Sequence, residues 1–183
     1  MGSIGTRPQI NKQTHEPPLL GGNVNDVIKS IADLGFINAK GRVDIVAYVK
    51  QINDVNLVFD EELSAAQSGY LTKEGNKWII GVNKNHNPKR QRFTIAHELA
   101  HFILHKGEEE YFEDEIFFRD NNLTSIEFAA NNFAANILMP EAFVREAIST
   151  GITNLEDLAN NFDVSVLAVK NRVLSLGYNL RNE

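Results

Sequence analysis

The chain has no cysteine in its 183 residues. Disulfides, thiolate metal ligands and cysteine nucleophiles are therefore excluded, and the composition is compatible with a reducing cytosol. It also lacks a basic excess. Eighteen Lys and Arg stand against 24 Asp and Glu, a net charge of −6, whereas a protein that coats nucleic acid needs a basic surface to meet phosphate. No apolar run approaches the length that crosses a bilayer. The opening MGSIGTRPQINKQTHEPPLLGG has no apolar segment after its positive charges and so is not a secretory signal. Residues 1–21 are expected to form a flexible leader, and the protein to be soluble and cytoplasmic, with no membrane partner. No internal repeat is visible. Hydrophobic content of 43% and charged content of 23% are ordinary for one globular domain, or one domain with a small appendage.

Apolar periodicity outlines the elements. Val27, Ile28, Ile31 and Leu34 recur at helical spacing in NDVIKSIADLGF (25–36), with Asn25 or Asp26 expected as the cap, and VDIVAYVKQIN (43–53) repeats the pattern. Three strand-like runs follow: NLVFD (56–60), SGYLTK (68–73) and KWIIGVN (77–83). The last two flank Glu74-Gly75-Asn76, which reads as a hairpin turn. Residues 90–105 form the next helix. EEEYFEDEIFFRD (108–120) carries seven acids against Arg119 alone and is expected to be a solvated loop rather than a functional acidic patch. A long helix (124–138) runs to Pro140, which can start another over EAFVREAIS, and the tail (154–178) reads as two short helices joined by a turn around Asp163.

TIAHELAHFILH (94–105) holds three of the five histidines. On a wheel of about 100° per residue, Arg90, Thr94, His97, Glu98, His101 and His105 share one wedge, and apolar residues take nearly all the rest, with Arg92 the main exception. An amphipathic surface helix has a broad polar face instead. This helix is expected to be buried on most sides, its polar wedge facing a cleft. Within the wedge the spacing is His-Glu-x-x-His. Imidazoles at i and i+4 stand one turn apart and can converge on one Zn²⁺ at about 2.0–2.1 Å. Glu98 lies on the flank, suited to touching a metal-bound water rather than the metal. The alternative is two core histidines and a surface glutamate.

A catalytic zinc takes three protein ligands and leaves a position for water. His105 lies roughly 12 Å from His97 along a straight helix and cannot share an ion with both partners. It is expected to be a cleft or helix-end residue. Leu104 and Gly107 exclude the extended pattern HExxHxxGxxH, and the absence of cysteine excludes a thiolate third ligand. In the second long helix, Glu127 and Asn131 share a face with Ala130, Ala134, Ala135 and Leu138. A carboxylate on an apolar stripe is costly unless paired or metal-bound, which makes Glu127 the candidate third ligand. The competing account is a first-turn glutamate favoured by the helix dipole. Asn131, one turn on, stands where an acceptor can hold a ligating histidine by its other nitrogen, or is a buried asparagine bonded to backbone.

RQRFTIAHELAHFILH (90–105) with EFAANNFAANILMP (127–140), preceded by the SGYL and WIIGVNKN segments, resembles the ImmA/IrrE family of bacterial metallopeptidases, on the gluzincin plan of HExxH plus a downstream Glu. The resemblance covers roughly residues 22–178. It implies an α+β, mostly helical zincin-like metallopeptidase domain over 22–150, with a small antiparallel sheet beside the HExxH helix. Residues 151–183 would be a C-terminal helix-turn-helix-like appendage packed on it. His97, His101 and Glu127 would hold one Zn²⁺ per chain, or another divalent metal, with Glu98 the catalytic acid/base. The implied partner is a protein substrate, a helix-turn-helix repressor or antitoxin of phage, mobile-element or stress regulation.

Zinc would activate water and polarise the scissile carbonyl, and Glu98 would move the proton. Tyr70 and His105 are the candidate donors to the oxyanion. Substrate would lie extended along an exposed strand edge, expected at Lys77–Asn83. Two rival classes remain. One is a metal-dependent sensor, anti-repressor or toxin–antitoxin component that acts by binding. The other is a DNA-binding regulator, suggested by LANNFDVS…AVKNRVLSLG. From residue 154 onward, however, three basic residues face four acids, a poor match to phosphate. No strong direct nucleic-acid binding is expected, and the tail is better suited to packing or partner docking.

Overall fold

The computed structural model describes residues 22–105, 111–114 and 125–180. The expected leader, residues 1–21, lies outside them. The described elements are α1 (Val24–Asp33), α2 (Ile45–Val49), β1 (Val55–Asp60), β2 (Gly69–Glu74), β3 (Lys77–Asn83), α3 (Pro88–His105), β4 (Tyr111–Asp114), α4 (Ser125–Leu138), α5 (Glu141–Ser149), α6 (Leu155–Phe162) and α7 (Val166–Ser175). This is an α+β domain with a small sheet beside its longest helix.

The sheet has the order β1-β3-β2-β4 and is mixed, not antiparallel as expected. β2 and β3 form the foreseen hairpin around Gly75, whose φ of 59° suits glycine. β1 pairs with β3 in parallel, from Val55↔Trp78 to Asp60↔Asn83. The expected substrate edge, Lys77–Asn83, is accordingly an interior strand. Both its sides are used by β1 and β2, and the outer strands among the described residues are β1 and β4. The expected loop at 108–120 is corrected in part, because Tyr111–Asp114 is a strand paired antiparallel with Gly69–Thr72. The rest of that stretch lies outside the described residues.

Local chemistry explains the other boundary changes. α1 is capped by Asn23, whose side chain accepts from the N–H groups of Asn25 and Asp26, two residues before the first expected cap. α2 is one short helix capped by Asp44, not a helix over 43–53. Val43 instead bridges Ile37, and the N–H groups of Gln51 and Ile52 bond three residues back, tightening the chain into β1. Asn87 Oδ1 accepts from Arg90 N–H at 3.0 Å and Pro88 occupies the first turn of α3, where its missing N–H costs nothing.

One hydrophobic cluster joins the elements from α1 to α7. Ile95, Leu99 and Phe102 of α3 meet Ile80 and Val82 of β3, and Ala130, Phe133, Ala134 and Ile137 of α4, in that cluster. The helical tail is tied in twice. Asp163, the left-handed residue that ends α6, bonds Arg42 Nη2 at 2.5 Å, while Arg92 of α3 donates to the Asp163 carbonyl at 3.0 Å and to the Val43 carbonyl at 2.9 Å. Arg92, the odd residue on the apolar side of the wheel, thus satisfies backbone carbonyls. Arg172 of α7 is 6% exposed and donates to the Met139 carbonyl at the end of α4 at 3.0 Å.

Arg172→Ala is expected to destabilise the fold by about 1–3 kcal/mol, because it leaves the buried Met139 carbonyl without its donor. The urea midpoint should fall with an unchanged m-value. An unaltered midpoint would show that the contact carries no net stability.

Candidate metal centre

α3 is buried on its polar side as well as its apolar one. Thr94, His97, Glu98 and His101 are all at most 1% exposed. So many polar groups survive burial only with partners, and α4 supplies some of them. His97 Nε2 and His101 Nε2 lie 2.9 Å apart, their rings at 71° to each other. Glu127 reaches both, with Oε2 3.3 Å from His97 and Oε1 3.3 Å from His101. One turn further along α4, Asn131 Oδ1 accepts from His97 Nδ1 at 3.1 Å. With an ion bound, a proton kept on Nδ1 would leave the Nε2 lone pair of a neutral ring free to take the metal.

The three groups form the one cluster of metal-ligating type among the described residues, with donor atoms within 4.8 Å of one another. Tetrahedral ligands at zinc-like distances of 2.0–2.1 Å stand about 3.3 Å apart, so the observed 2.9, 3.3 and 3.3 Å match donors that share one ion. Two imidazoles and a carboxylate are also the right donors for a borderline divalent metal. Burial raises the Glu127 carboxyl pKa, but hydrogen bonds from His101 and His97 outweigh it and hold the group well below the usual carboxylate range. Glu127 is thus an anion facing the two rings. The residues fit a divalent metal ion.

Glu98 is fully buried and does not belong to the ligating trio. Its Oε1 lies beside Gly69 of β2, where a Cβ would come within 3.3 Å of it. That glycine was not singled out from the sequence. A Cβ there would also meet Thr94 Cγ2 at 2.5 Å and the Gly81 carbonyl at 2.6 Å. β2 can pass this close to α3 only with no side chain at 69. The available signal was a glycine at the head of a strand-like run, which marks close backbone approach.

Tyr70, a candidate oxyanion donor, is not brought to the trio. The bare face of Gly69 looks at α3, so the next side chain points to the opposite face of the sheet. There its ring lies over Gly81, and its hydroxyl donates to Asp60 Oδ2 at 3.3 Å. Burial and the neighbouring Asp60 raise its pKa. His105 closes α3, and its side chain lies outside the described residues.

A small sheet against a helix that carries two histidines one turn apart, with a glutamate from the next long helix closing on both, defines an α+β zincin-like domain. The chain belongs to the ImmA/IrrE family of metallopeptidases: residues 54–174 match the family model described as the IrrE N-terminal-like domain. That family implies a metal ion. Among its relatives, the radiation response metalloprotease IrrE of Deinococcus radiodurans is 37% identical over 92 residues, covering 48% of this chain and 28% of that protein. The protein of the same name from Deinococcus deserti is 35% identical over 92 residues, covering 48% and 32%. The chain thus spans less than a third of the length of either.

Gly69→Ala is expected to cost about 1–3 kcal/mol, the range for a side chain forced into a filled space. Adding Thr94→Ser, which removes the methyl that the new Cβ meets, should restore part of it. A denaturant midpoint equal to wild type for the single variant would show that β2 moves aside freely.

Proposed function

We propose that the protein is a zinc-dependent endopeptidase that makes a site-specific cut in a helix-turn-helix repressor or antitoxin. The observation that carries the proposal is the convergence of His97 Nε2, His101 Nε2 and the Glu127 carboxylate, with buried Glu98 beside them. Family membership supports a peptidase, and the name of the Deinococcus relatives supports a stress-linked role. The chemistry of the trio suits zinc.

His97, His101 and Glu127 hold the ion, and Asn131 fixes the tautomer and tilt of His97 through its 3.1 Å bond. When bound, the ion supplies Lewis acidity towards the scissile carbonyl and activates a water. Glu98 accepts the proton of the attacking water and passes it to the leaving amine. Glu127 does not share this work, since its carboxylate would be committed to the ion with the two histidines. The donor to the developing oxyanion must come from elsewhere than Tyr70, which faces away. An extended substrate would pair with an outer strand, because β3 has no free side.

Purified protein should carry about one divalent ion per chain. His97→Ala, His101→Ala and Glu127→Ala should each lose it, and Asn131→Ala should weaken metal affinity roughly 10–100-fold with the fold intact. Elemental analysis and competition with a chelator report both. Full metal retention by the Glu127 variant would remove it from the ligand set.

The decisive test of activity is incubation of the metal-loaded protein with the repressor encoded beside it. Glu98→Gln keeps the size of the side chain but cannot take the water's proton. It should retain metal and still bind that repressor, while cleavage falls by about 10²–10⁴-fold. If wild type and variant relieve repression equally and neither cuts the repressor, the peptidase proposal fails.

A further inference from the structure

Among the described residues, the outer edge of β1 is unpaired. Trp78 N–H donates to the Asp54 carbonyl and Lys84 N–H to the Asp60 carbonyl, both at 2.8 Å, which brackets the parallel ladder. The alternation of a parallel pair then turns the backbone groups of Asn56, Val58 and Asp60 towards β3 and those of Val55, Leu57 and Phe59 away from it. Val55 N–H is taken by the Ile52 carbonyl. Among the described residues, the N–H and C=O groups of Leu57 and Phe59 have no such partner. Natural sheets guard a free edge with lysine, proline, a bulge or a covering segment. VNLVFD contains neither lysine nor proline, and its pairing with β3 runs through six positions without a bulge.

The side chains along this edge are also those of a contact surface. Val58 and Phe59 are 42% and 38% exposed, one on each face of the sheet, so a strand laid beside β1 would bury apolar surface on both sides. The charge around them is predominantly acidic. Asp54, Asp60, Glu61 and Glu62 lie in or next to the strand. The nearby Lys84 pairs with Glu61, and Lys77 is bonded to the Asn53 carbonyl. A second copy of the chain would bring acid against acid, whereas a segment bearing lysine or arginine would meet complementary charge.

We propose that the outer edge of β1 is a docking site for an extended, basic and apolar segment of a partner protein, which adds to the sheet as a further strand through Leu57 and Phe59. β3 separates β1 from β2, the strand that passes Glu98, so the docked segment lies three strand spacings, roughly 14 Å, to the side of the strand nearest the trio. It holds the partner without occupying the metal centre. The inference rests on topology and charge, and stands whether or not the protein cuts peptide bonds.

The probe is a short labelled peptide of alternating lysine and valine, with a glutamate–valine peptide as its counterpart. Hydrogen exchange on the full chain should find the Leu57 and Phe59 amides fast in the free protein and slowed by the lysine peptide. Binding measured by fluorescence anisotropy should weaken with salt. It should drop about tenfold in Phe59→Pro, which removes an outward N–H without touching the β3 ladder. Phe59→Lys, which keeps the N–H but adds a positive charge and removes the apolar ring, should weaken binding in the same direction. Protection of Ile80 and Val82 checks that each variant is folded, and if the proline variant is not, the lysine variant decides. The proposal is overturned if the two amides are already protected in the free protein, which would mean that its own chain or a second copy covers the edge. It is equally overturned if both peptides bind alike or if the folded variants bind as wild type does.

Discussion

The packing of α4 on α3 is the interaction on which the rest of the structure depends. It sets a carboxylate from one helix against two imidazole nitrogens from the other, and it does so in a place where Thr94, His97, Glu98 and His101 are shut away from water. Neither helix would tolerate this alone. Without α4 against them, His97 and His101 would lack the partners that their burial demands, and Glu127 would be an acid on an apolar stripe. Together they are complementary. The small residues Ala130 and Ala134, both fully buried on α4, leave room for two helices to come close enough for Glu127 to touch both histidines.

The sheet serves that helix pair from the other side. β2 passes so near α3 that Gly69 has no room for a side chain, and this contact walls in the Glu98 carboxylate. The hairpin partner β3 anchors the loop that leads into β2. The side-chain amide of Asn83 donates to the carbonyls of Ser64 at 2.8 Å and Gln67 at 2.9 Å, and its own N–H donates to the Ser68 carbonyl at 2.9 Å. Arg90, on the first turn of α3, bonds the buried Ser68 hydroxyl at 2.7 Å. One carbonyl-rich loop is thus fixed by the strand before the metal helix and by that helix itself. Glu98 is held by the same construction that fixes the wall beside it.

The two faces of the sheet divide the chemistry. The α3 face carries the apolar core and the metal centre. The opposite face carries Tyr70 lying over Gly81 with its hydroxyl on Asp60. Beyond it, β1 presents an edge that is unpaired among the described residues, with apolar side chains and acidic neighbours. The metal-ligating cluster and the outer edge of β1 thus lie at different places on the sheet.

Much of the site was legible in the sequence because its signals are local. A period of 3.6 residues puts His97 and His101 on one face whatever surrounds them, and Glu127 and Asn131 stand out because a polar pair on an apolar stripe needs a reason within a single helix. The hairpin at Gly75 and the turn at Asp163 likewise follow from neighbours in the chain. Pairings between distant segments left no such trace. Parallel pairing of β1 with β3, which made an interior strand of the expected substrate edge, depends on a connection that wraps around the β2 hairpin. The strand at 111–114 exists because β2 offers it a partner, and its own acidic composition argued for a loop. Tyr70 was a plausible donor by type, but strand alternation turned it to the other face once Gly69 faced α3. Sequence periodicity determined which residues each helix presents; only the tertiary structure decided which strands meet and which edge stays open, because backbone hydrogen bonds between strands carry almost no side-chain signature.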